Sequence, residues 1–375
     1  FVWAAALDSG MTAASLVEDT PLAYYYDGRD WRLLEGATDQ YSINLATQPF
    51  AQSTDFKIWV PNDFDGKFLG TITLRRALSL SRNIASINLI THVGPPLVVD
   101  LAHKAGIVSD LEAVPALGLG ASTVKPLEMV NAFGTFANGG IAVVPYTVER
   151  VEDATGKQLE SHVPSEREAM SPELAYLVTN LLKGVVRNGT GIHASRLGRP
   201  LAGKTGTSND NRDLWFIGFT PDLAAGAWMG YDDFTSLGRK DWTGGSTVVP
   251  WWTDIMEQIL KDYPKRDFPK PAKIVFQTID ADTGLLALPT CPKKRRILEA
   301  FLEGTEPKEY CKVDHSKPLA GQTPSQAPAA VIGPSVEGVA PSSAPVSAEP
   351  PPPPLPTDEE LESGPAPSEG PVILE

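Results

Sequence analysis

Lys204-Thr205-Gly206-Thr207 sets a cation, two hydroxyls and a residue without a side chain on consecutive positions. Read as the edge of a strand, this tetrapeptide suits an extended peptide that ends in a carboxylate. The Lys204 ammonium and the Thr205 and Thr207 hydroxyls can give charge-assisted hydrogen bonds to that terminus. Gly206 lets a second backbone come close. The Thr207 N–H can point at a carbonyl oxygen under attack and so form half an oxyanion hole, and one such donor is worth ~3 kcal/mol of barrier. Upstream, Ser81-Arg82-Asn83 supplies a hydroxyl able to relay a proton to a leaving amine and an amide able to hold a peptide group. Either group alone is commonplace, as a Gly-containing turn or as a helix-ending Ser with a capping Asn.

Two other matches compete for the same residues or the same role. Gly198-Arg-Pro-Leu-Ala-Gly203-Lys204-Thr205 fits the spacing of a phosphate-binding loop. Such a loop needs a buried strand before its first Gly and a helix after its Thr, and His193 to Leu197 and Gly206 to Asn211 supply neither. Pro200 also removes a backbone N–H from the cradle. Ser122-Thr-Val-Lys125-Pro126 is a literal Ser-x-x-Lys, the spacing of an acylated serine and its base. It is expected to be a decoy, a Ser at a helix entry with a solvated Lys.

The elements around these motifs follow from periodicity. Leu74, Ala77, Leu78 and Ser81 fall on one helical stripe. Pro96 to Lys104 reads as a helix closed by Gly106, and Leu127 to Ala137 as another, entered by Pro126. Ser171-Pro172 caps and opens a helix whose apolar face runs from Leu174 to Val185 and stops before Asn188-Gly189. Leu214 to Phe219 and Leu223 to Tyr231, joined by Thr220-Pro-Asp222, read as a β-hairpin, and Pro250 to Leu260 returns to helix. The expected fold is α/β of the α+β kind: an antiparallel sheet flanked by helices, with a helical subdomain.

With 375 residues, 42% of them hydrophobic, the chain can bury a sizeable core. Its net charge is −14, and the stretch from Ser316 onward holds one Lys against eight acids. Nucleic acid is therefore not an expected partner. That stretch also holds fifteen of the 34 prolines, including Pro350 to Pro354, a composition that leads us to expect a disordered tail over 316–375. No apolar run reaches the ~18 residues of a membrane span. Cys291 and Cys311 lie close together in a polar, Pro-rich segment. They read either as two inert thiols or as a disulfide closing a ~20-residue loop, worth roughly 3 kcal/mol. The disulfide is the expectation, and with it an oxidising compartment. The five histidines, at 92, 103, 162, 193 and 315, show no ligand spacing, so no metal is expected.

Longer stretches give the motifs a shared context. Asp65-Gly-Lys-Phe68 and Gly70-Thr-Ile-Thr-Leu-Arg-Arg-Ala-Leu-Ser-Leu-Ser-Arg-Asn-Ile-Ala85 resemble the corresponding region of bifunctional, class A penicillin-binding proteins. So do Leu117-Gly-Leu-Gly120, Pro126-Leu-Glu-Met129, Phe136-Ala-Asn-Gly-Gly140, Gly189-Thr-Gly191, and Ala202 through Asp213 with Trp215-Phe216. The resemblance reaches about residue 312, including Gly304-Thr-Glu-Pro307. It divides the chain into a transpeptidase domain over 1–265, a small extension with Cys291 and Cys311 over 266–315, and the tail.

The resemblance implies the serine transpeptidase/β-lactamase fold and a peptidoglycan D,D-transpeptidase needing no metal or cofactor. A serine attacks the D-Ala-D-Ala carbonyl of a stem peptide, D-Ala leaves, and an amine of a neighbouring stem peptide takes the acyl group. β-Lactams acylate the same serine. Ser81 would relay protons, Asn83, Thr205, Gly206 and Thr207 would hold substrate, and Lys204 would set the local field. Phe1-Val-Trp-Ala-Ala-Ala-Leu7 looks like the helix that follows the family's Ser-x-x-Lys-Pro. The nucleophile and its base are therefore expected upstream of Phe1, with a glycosyltransferase domain and a membrane anchor further upstream, on the periplasmic face of the bacterial inner membrane. The chain as it stands is then expected to be inactive. A D,D-carboxypeptidase would share these motifs. A β-lactam-hydrolysing relative would carry a Glu-x-x-Leu-Asn segment not found here, and Arg82 stands where class A β-lactamases place Asp. A non-catalytic peptide-binding module is the remaining alternative.

Overall fold

The computed structural model describes residues 1–22, 24–26, 31–33, 57–315 and 325–326. The tail expected to be disordered lies outside these, apart from Ser325–Gln326, which pairs antiparallel with Lys67–Phe68. Seven α-helices are named here: α1 (Val2–Asp8), α2 (Leu74–Ser79), α3 (Asn83–Val93), α4 (Pro95–Ala105), α5 (Pro126–Ala137), α6 (Pro172–Asn188) and α7 (Val249–Ile259). The strands that matter for the site are β1 (Leu16–Asp19), β2 (Gly70–Thr73), β3 (Ala202–Thr207), β4 (Asp213–Phe219), β5 (Ala224–Gly230), β6 (Ile274–Asp280) and β7 (Arg296–Leu302).

β3, β4 and β5 form an antiparallel sheet in that order, with Lys204 opposite Ile217 and Trp215 opposite Trp228. Side chains alternate across a strand, and β4 uses both faces. Leu214 and Phe216 pack with Val249, Trp252 and Met256 of α7, the Trp252 ring standing edge-on to Phe216 at 4.9 Å. Phe219, on the opposite face, meets Phe133 of α5 edge-on at 6.2 Å and joins the main core with α1 and α6. The sheet is thus sandwiched between helices, as expected. The turn between β4 and β5 is held by Thr220, whose N–H donates to the Leu223 carbonyl at 2.9 Å.

α1 is buried from Val2 to Leu7, and its Trp3 indole N–H donates to the Leu74 carbonyl at 3.2 Å. α3 and α4 meet at a 96° bend at Gly94, and no single helix among the described residues is long and apolar enough to cross a membrane. α3 escaped the sequence reading because Ile84, Ala85, Ser86, Ile87, Leu89 and Ile90 are all buried. With every residue from Ile84 to Ile90 buried except Asn88, that run shows no clear stripe.

The extension forms an antiparallel hairpin, β6 with β7, register Ile274↔Leu302 to Asp280↔Arg296. It docks on α2. Arg75 pairs with the fully buried Glu299, Arg76 Nη1 lies 3.2 Å from Asp282 Oδ1, and the Thr73 hydroxyl donates to the Ala281 carbonyl at 3.2 Å.

Candidate active site

Ser81 was expected on the stripe of α2, and the structure corrects this. The helix ends at Ser79, and Ser81 takes a left-handed backbone conformation, φ 56°. A non-glycine residue there carries strain of about 1–3 kcal/mol and is held only where its surroundings over-determine it. Here they do. Its neighbour Arg82 is buried and anchored by three carboxylates: Nε lies 3.0 Å from Asp19 Oδ2, Nη2 3.0 Å from Asp63 Oδ2 and Nη1 3.0 Å from Asp65 Oδ1. On the other side Asp63 Oδ1 accepts the Asn83 N–H at 2.5 Å. The backbone on both sides of Ser81 is thereby fixed. Burial, together with Asp19 beside it, pushes the Asp63 carboxyl up to about 7.

The result is that Ser81 Oγ accepts a hydrogen bond from Lys204 Nζ at 2.7 Å, across 123 residues of sequence. The ammonium also donates to the Thr205 carbonyl at 2.9 Å. Among the described residues it has no carboxylate partner, and withdrawal from water pushes its pKa down to about 8. A desolvated cation without a counter-ion is a site for an anion.

β3 is one of the two edge strands of its sheet. Ser208 N–H donates inward to the Asp213 carbonyl at 2.9 Å, and alternation along the strand turns the Thr207 N–H to the opposite, open side. That is the orientation the oxyanion reading requires. The Thr207 hydroxyl accepts the Gly244 N–H at 3.0 Å, which leaves its own proton for a ligand. Thr205 is more enclosed than expected: its hydroxyl is engaged with the Thr190 hydroxyl at 2.6 Å. Gly206 faces Trp215, whose Cβ would stand 3.1 Å from an added side-chain carbon. Gly244 approaches the strand so closely that a Cβ there would lie 2.5 Å from the Gly206 carbonyl oxygen.

Asn83 sits at the first turn of α3, and its amide donates to the Asn62 carbonyl at 2.8 Å. No hydrogen bond joins it to Lys204 or Thr205. Thr190 was not singled out as a site residue, yet it ties the two halves together, its N–H donating to the Ser79 carbonyl at 3.1 Å and its hydroxyl meeting Thr205. The signal was present in Gly189-Thr-Gly191. A Cβ at Gly189 would come within 2.2 Å of the Ser79 carbonyl oxygen, so only glycine lets α6 and α2 meet there. The amino end of α1 opens into the same place, with Phe1 N buried and close enough to Lys204 to feel its charge.

The competing motifs have other geometry. Lys204 lies within a strand, with Gly198 closing a 3₁₀ turn, so no phosphate cradle forms. Ser122 Oγ accepts the Glu112 N–H at 3.3 Å, while the exposed Lys125 reaches Glu128 Oε1 at 3.6 Å. Ser122 does not cap α5 either; Lys125 holds that position. The expected disulfide is also not what the structure holds: Cys291 and Cys311 are buried free thiols.

A strand-edge Lys-Thr-Gly-Thr facing a strained Ser is the arrangement of a domain of the penicillin-binding transpeptidase type. Residues 33–256 match the penicillin-binding protein transpeptidase domain, and residues 270–316 match the penicillin-binding protein 1A C-terminal domain. The chain belongs to the penicillin-binding protein transpeptidase family. It is 36% identical over 279 residues to Penicillin-binding protein 1A of Aquifex aeolicus, covering 74% of this chain and 38% of that protein. Against Penicillin-binding protein 1A of Pseudomonas aeruginosa it is 33% identical, covering 78% and 39%. The crystal structure of Penicillin-Binding Protein 1A from Haemophilus influenzae superposes with a TM-score of 0.70 at 27% identity, over 83% of this chain and 48% of that one. The chain thus spans about two fifths of those two relatives.

Proposed function

We propose that this chain is the acyl-transferring part of a class A penicillin-binding protein, a D,D-transpeptidase acting on stem peptides ending in D-Ala-D-Ala at the periplasmic face of the inner membrane. The observation that carries the reading is the Lys204–Ser81 contact of 2.7 Å at the end of an open strand edge. In this reading the donor peptide lies along β3, its carboxylate taken by Lys204 and the Thr207 hydroxyl, and its scissile carbonyl oxygen by the Thr207 N–H. Asn83 would meet the peptide only on releasing Asn62.

The attacking serine and its lysine base belong, on this proposal, to a Ser-x-x-Lys ahead of α1, since the amino end of that helix lies beside Lys204. The serine oxygen adds to the carbonyl, its proton passing to the lysine base. The C–N bond then breaks as the Ser81 hydroxyl delivers a proton to the leaving amine and recovers one from Lys204. An acceptor amine reverses these transfers and takes the acyl group. The positive charge of Lys204 keeps the Ser81 proton labile up to its transfer to the leaving amine, and is restored when the acceptor amine's proton returns to it.

The test is a chain extended ahead of Phe1 by a Ser-x-x-Lys-Pro segment, native or grafted from the Aquifex aeolicus relative, given a D-Ala-D-Ala donor and an amine acceptor. Release of D-Ala with formation of the cross-linked dimer is the expected outcome. Release with hydrolysed product alone would make the domain a carboxypeptidase, and no release would reject both.

A further inference from the structure

Four potential ligands converge in the extension, far in sequence from Ser81 and Lys204. One oxygen of Asp280, the sulfurs of Cys291 and Cys311, and one ring nitrogen of His315 all lie within 4.8 Å of one another. Cys311 Sγ is 3.4 Å from His315 Nε2, and His315 Nε2 is 3.2 Å from Asp280 Oδ2. A tetrahedral ion with bonds of about 2.0–2.3 Å separates its ligands by about 3.3–3.8 Å; the 3.4 Å spacing falls in that range and the 3.2 Å one lies about 0.1 Å short of it. The side chains are closed off from water: Asp280 is fully buried, Cys291 and Cys311 nearly so, and the His315 side chain is 6% exposed.

The carboxylate is set up asymmetrically. Asp280 Oδ1 accepts the N–H of Asp282 at 3.2 Å, the N–H of Thr283 at 3.0 Å and the Thr283 hydroxyl at 3.0 Å. Its other oxygen, Oδ2, points at the cysteines and histidine and receives no hydrogen bond. A buried anionic oxygen left so is costly unless a cation takes it. Orientation of one oxygen by outer hydrogen bonds, with the other left bare, is how a ligating carboxylate is held.

The backbone places the sulfurs just as deliberately. Cys311 N–H donates to the Leu286 carbonyl at 2.8 Å, Leu286 N–H to the Glu309 carbonyl at 2.9 Å, and Cys291 N–H to the Leu288 carbonyl at 3.0 Å. The extension also has little else to hold its loops. Among the described residues, the apolar cluster of the hairpin has Ile279, Phe301 and Ala14 as its buried members, and a unit of that size ordinarily needs a disulfide or a metal.

We propose that Asp280, Cys291, Cys311 and His315 bind one zinc ion as a closed structural site that staples the extension together. Two thiolates, an imidazole and a carboxylate in tetrahedral disposition suit zinc over harder or larger cations. On binding, both thiols lose their protons to solvent, two Zn–S bonds form, and no electron moves. Arg295 Nη1 donates to His315 Nδ1 at 2.6 Å; zinc on Nε2 moves the ring proton to Nδ1, so on loading Arg295 gives up that contact and keeps its other partner, Asp282 Oδ2 at 3.0 Å. The three ligand negative charges leave the loaded site at −1, and Arg295 balances it. The histidine spacing judged uninformative in the sequence becomes meaningful beside a cysteine: Cys311-x-x-x-His315 is a ligand pair. The fourth ligand, at the end of β6, comes only from the fold.

The experiment uses the full chain, reduced, stripped with chelator and dialysed against Zn2+, then desalted and assayed for metal by mass spectrometry. About one zinc per chain is expected, with both thiols protected from Ellman's reagent until chelator is added. Co2+ in its place should give the absorption of a tetrahedral ion with thiolate charge-transfer bands. Cys311→Ser and His315→Ala should each lose the metal, while the far-ultraviolet circular dichroism of the main domain reports whether the chain still folds. Retention of equal zinc by both variants, absence of zinc in the folded wild type, or a Cys291–Cys311 disulfide in chain purified from the periplasm without reductant would each overturn the proposal.

Discussion

Lys204 Nζ stands 2.7 Å from Ser81 Oγ, and the two are brought together by elements that share no sequence neighbourhood. Ser81 is offered by the strained break between α2 and α3, Lys204 by an edge strand. Thr190 spans the gap, bonded to Ser79 on one side and to Thr205 on the other.

Lys204→Ala in a chain extended with the nucleophile segment should slow acylation by a fluorescent penicillin by about 10²–10³-fold, the usual loss when one positioned donor to a developing charge is removed. Denaturation should be nearly unchanged, because the ammonium's burial costs stability as well as giving it. A rate within twofold of the parent would remove Lys204 from the mechanism.

The same side chain sets a pH limb. Its pKa lies near 8 instead of 10.5, so the cation needed for carboxylate binding is lost as pH rises through about 8. The acylation rate should therefore fall with an apparent pKa near that value, measured by stopped-flow labelling from pH 6 to 10. A rate flat to pH 10 would mean that the charge is dispensable.

Asp63 titrates in the opposite sense. Its folded pKa of about 7 is raised above the ordinary 3.8, so between these values the native state holds a proton that the unfolded chain has released. Stability must then fall as pH rises from about 4 to 7. Asp63→Asn, whose amide can donate to Asp19 as the protonated acid does, should flatten that slope in urea titrations; an unchanged slope would assign it to another group.

Gly189→Ala should destabilise the chain by about 1–3 kcal/mol or more, as overpacking against backbone does. The glycine has φ −114°, a value open to any residue, so the effect is steric and comes from the Ser79 carbonyl 2.2 Å from the added carbon. Chemical denaturation would measure it, and loss of penicillin acylation beyond the loss of folded protein would show that the α2–α6 contact also sets Ser81.

Ser122 should remain unmodified. Peptide mapping after incubation with labelled penicillin should find no adduct there, since Lys125 is turned to Glu128 and offers Ser122 no base. A stoichiometric adduct at Ser122 would relocate the active site.

The sheet, α4 to α7 and the strand role of Lys204 to Thr207 were legible because each is amphipathic or punctuated: Pro126 and Pro172 at helix starts, Thr220-Pro-Asp222 in a turn. What was not legible depends on distant partners. The left-handed turn at Ser81 is imposed by Asp19, Asp63 and Asp65 through Arg82, and no local propensity would place it there. α3 was invisible because nearly all of Ile84 to Ile90 is buried. The setting of the cysteines was not legible either, because Asp280 and His315 are ordinary in sequence and come beside Cys291 and Cys311 only where a hairpin end and a following turn meet.

An open strand edge recognises its ligand mainly through main-chain groups, and a main-chain N–H cannot be mutated away. On the proposed function, replacing the side chain of Thr205 or Thr207 changes hydroxyl contacts but leaves the same main-chain ladder exposed to a β-lactam and a stem peptide alike. Discrimination has to come from where the strand lies. The supports of β3, Thr190 behind it, Trp215 beneath it and Gly244 against its end, are the positions from which small displacements would separate a rigid bicyclic mimic from a flexible dipeptide.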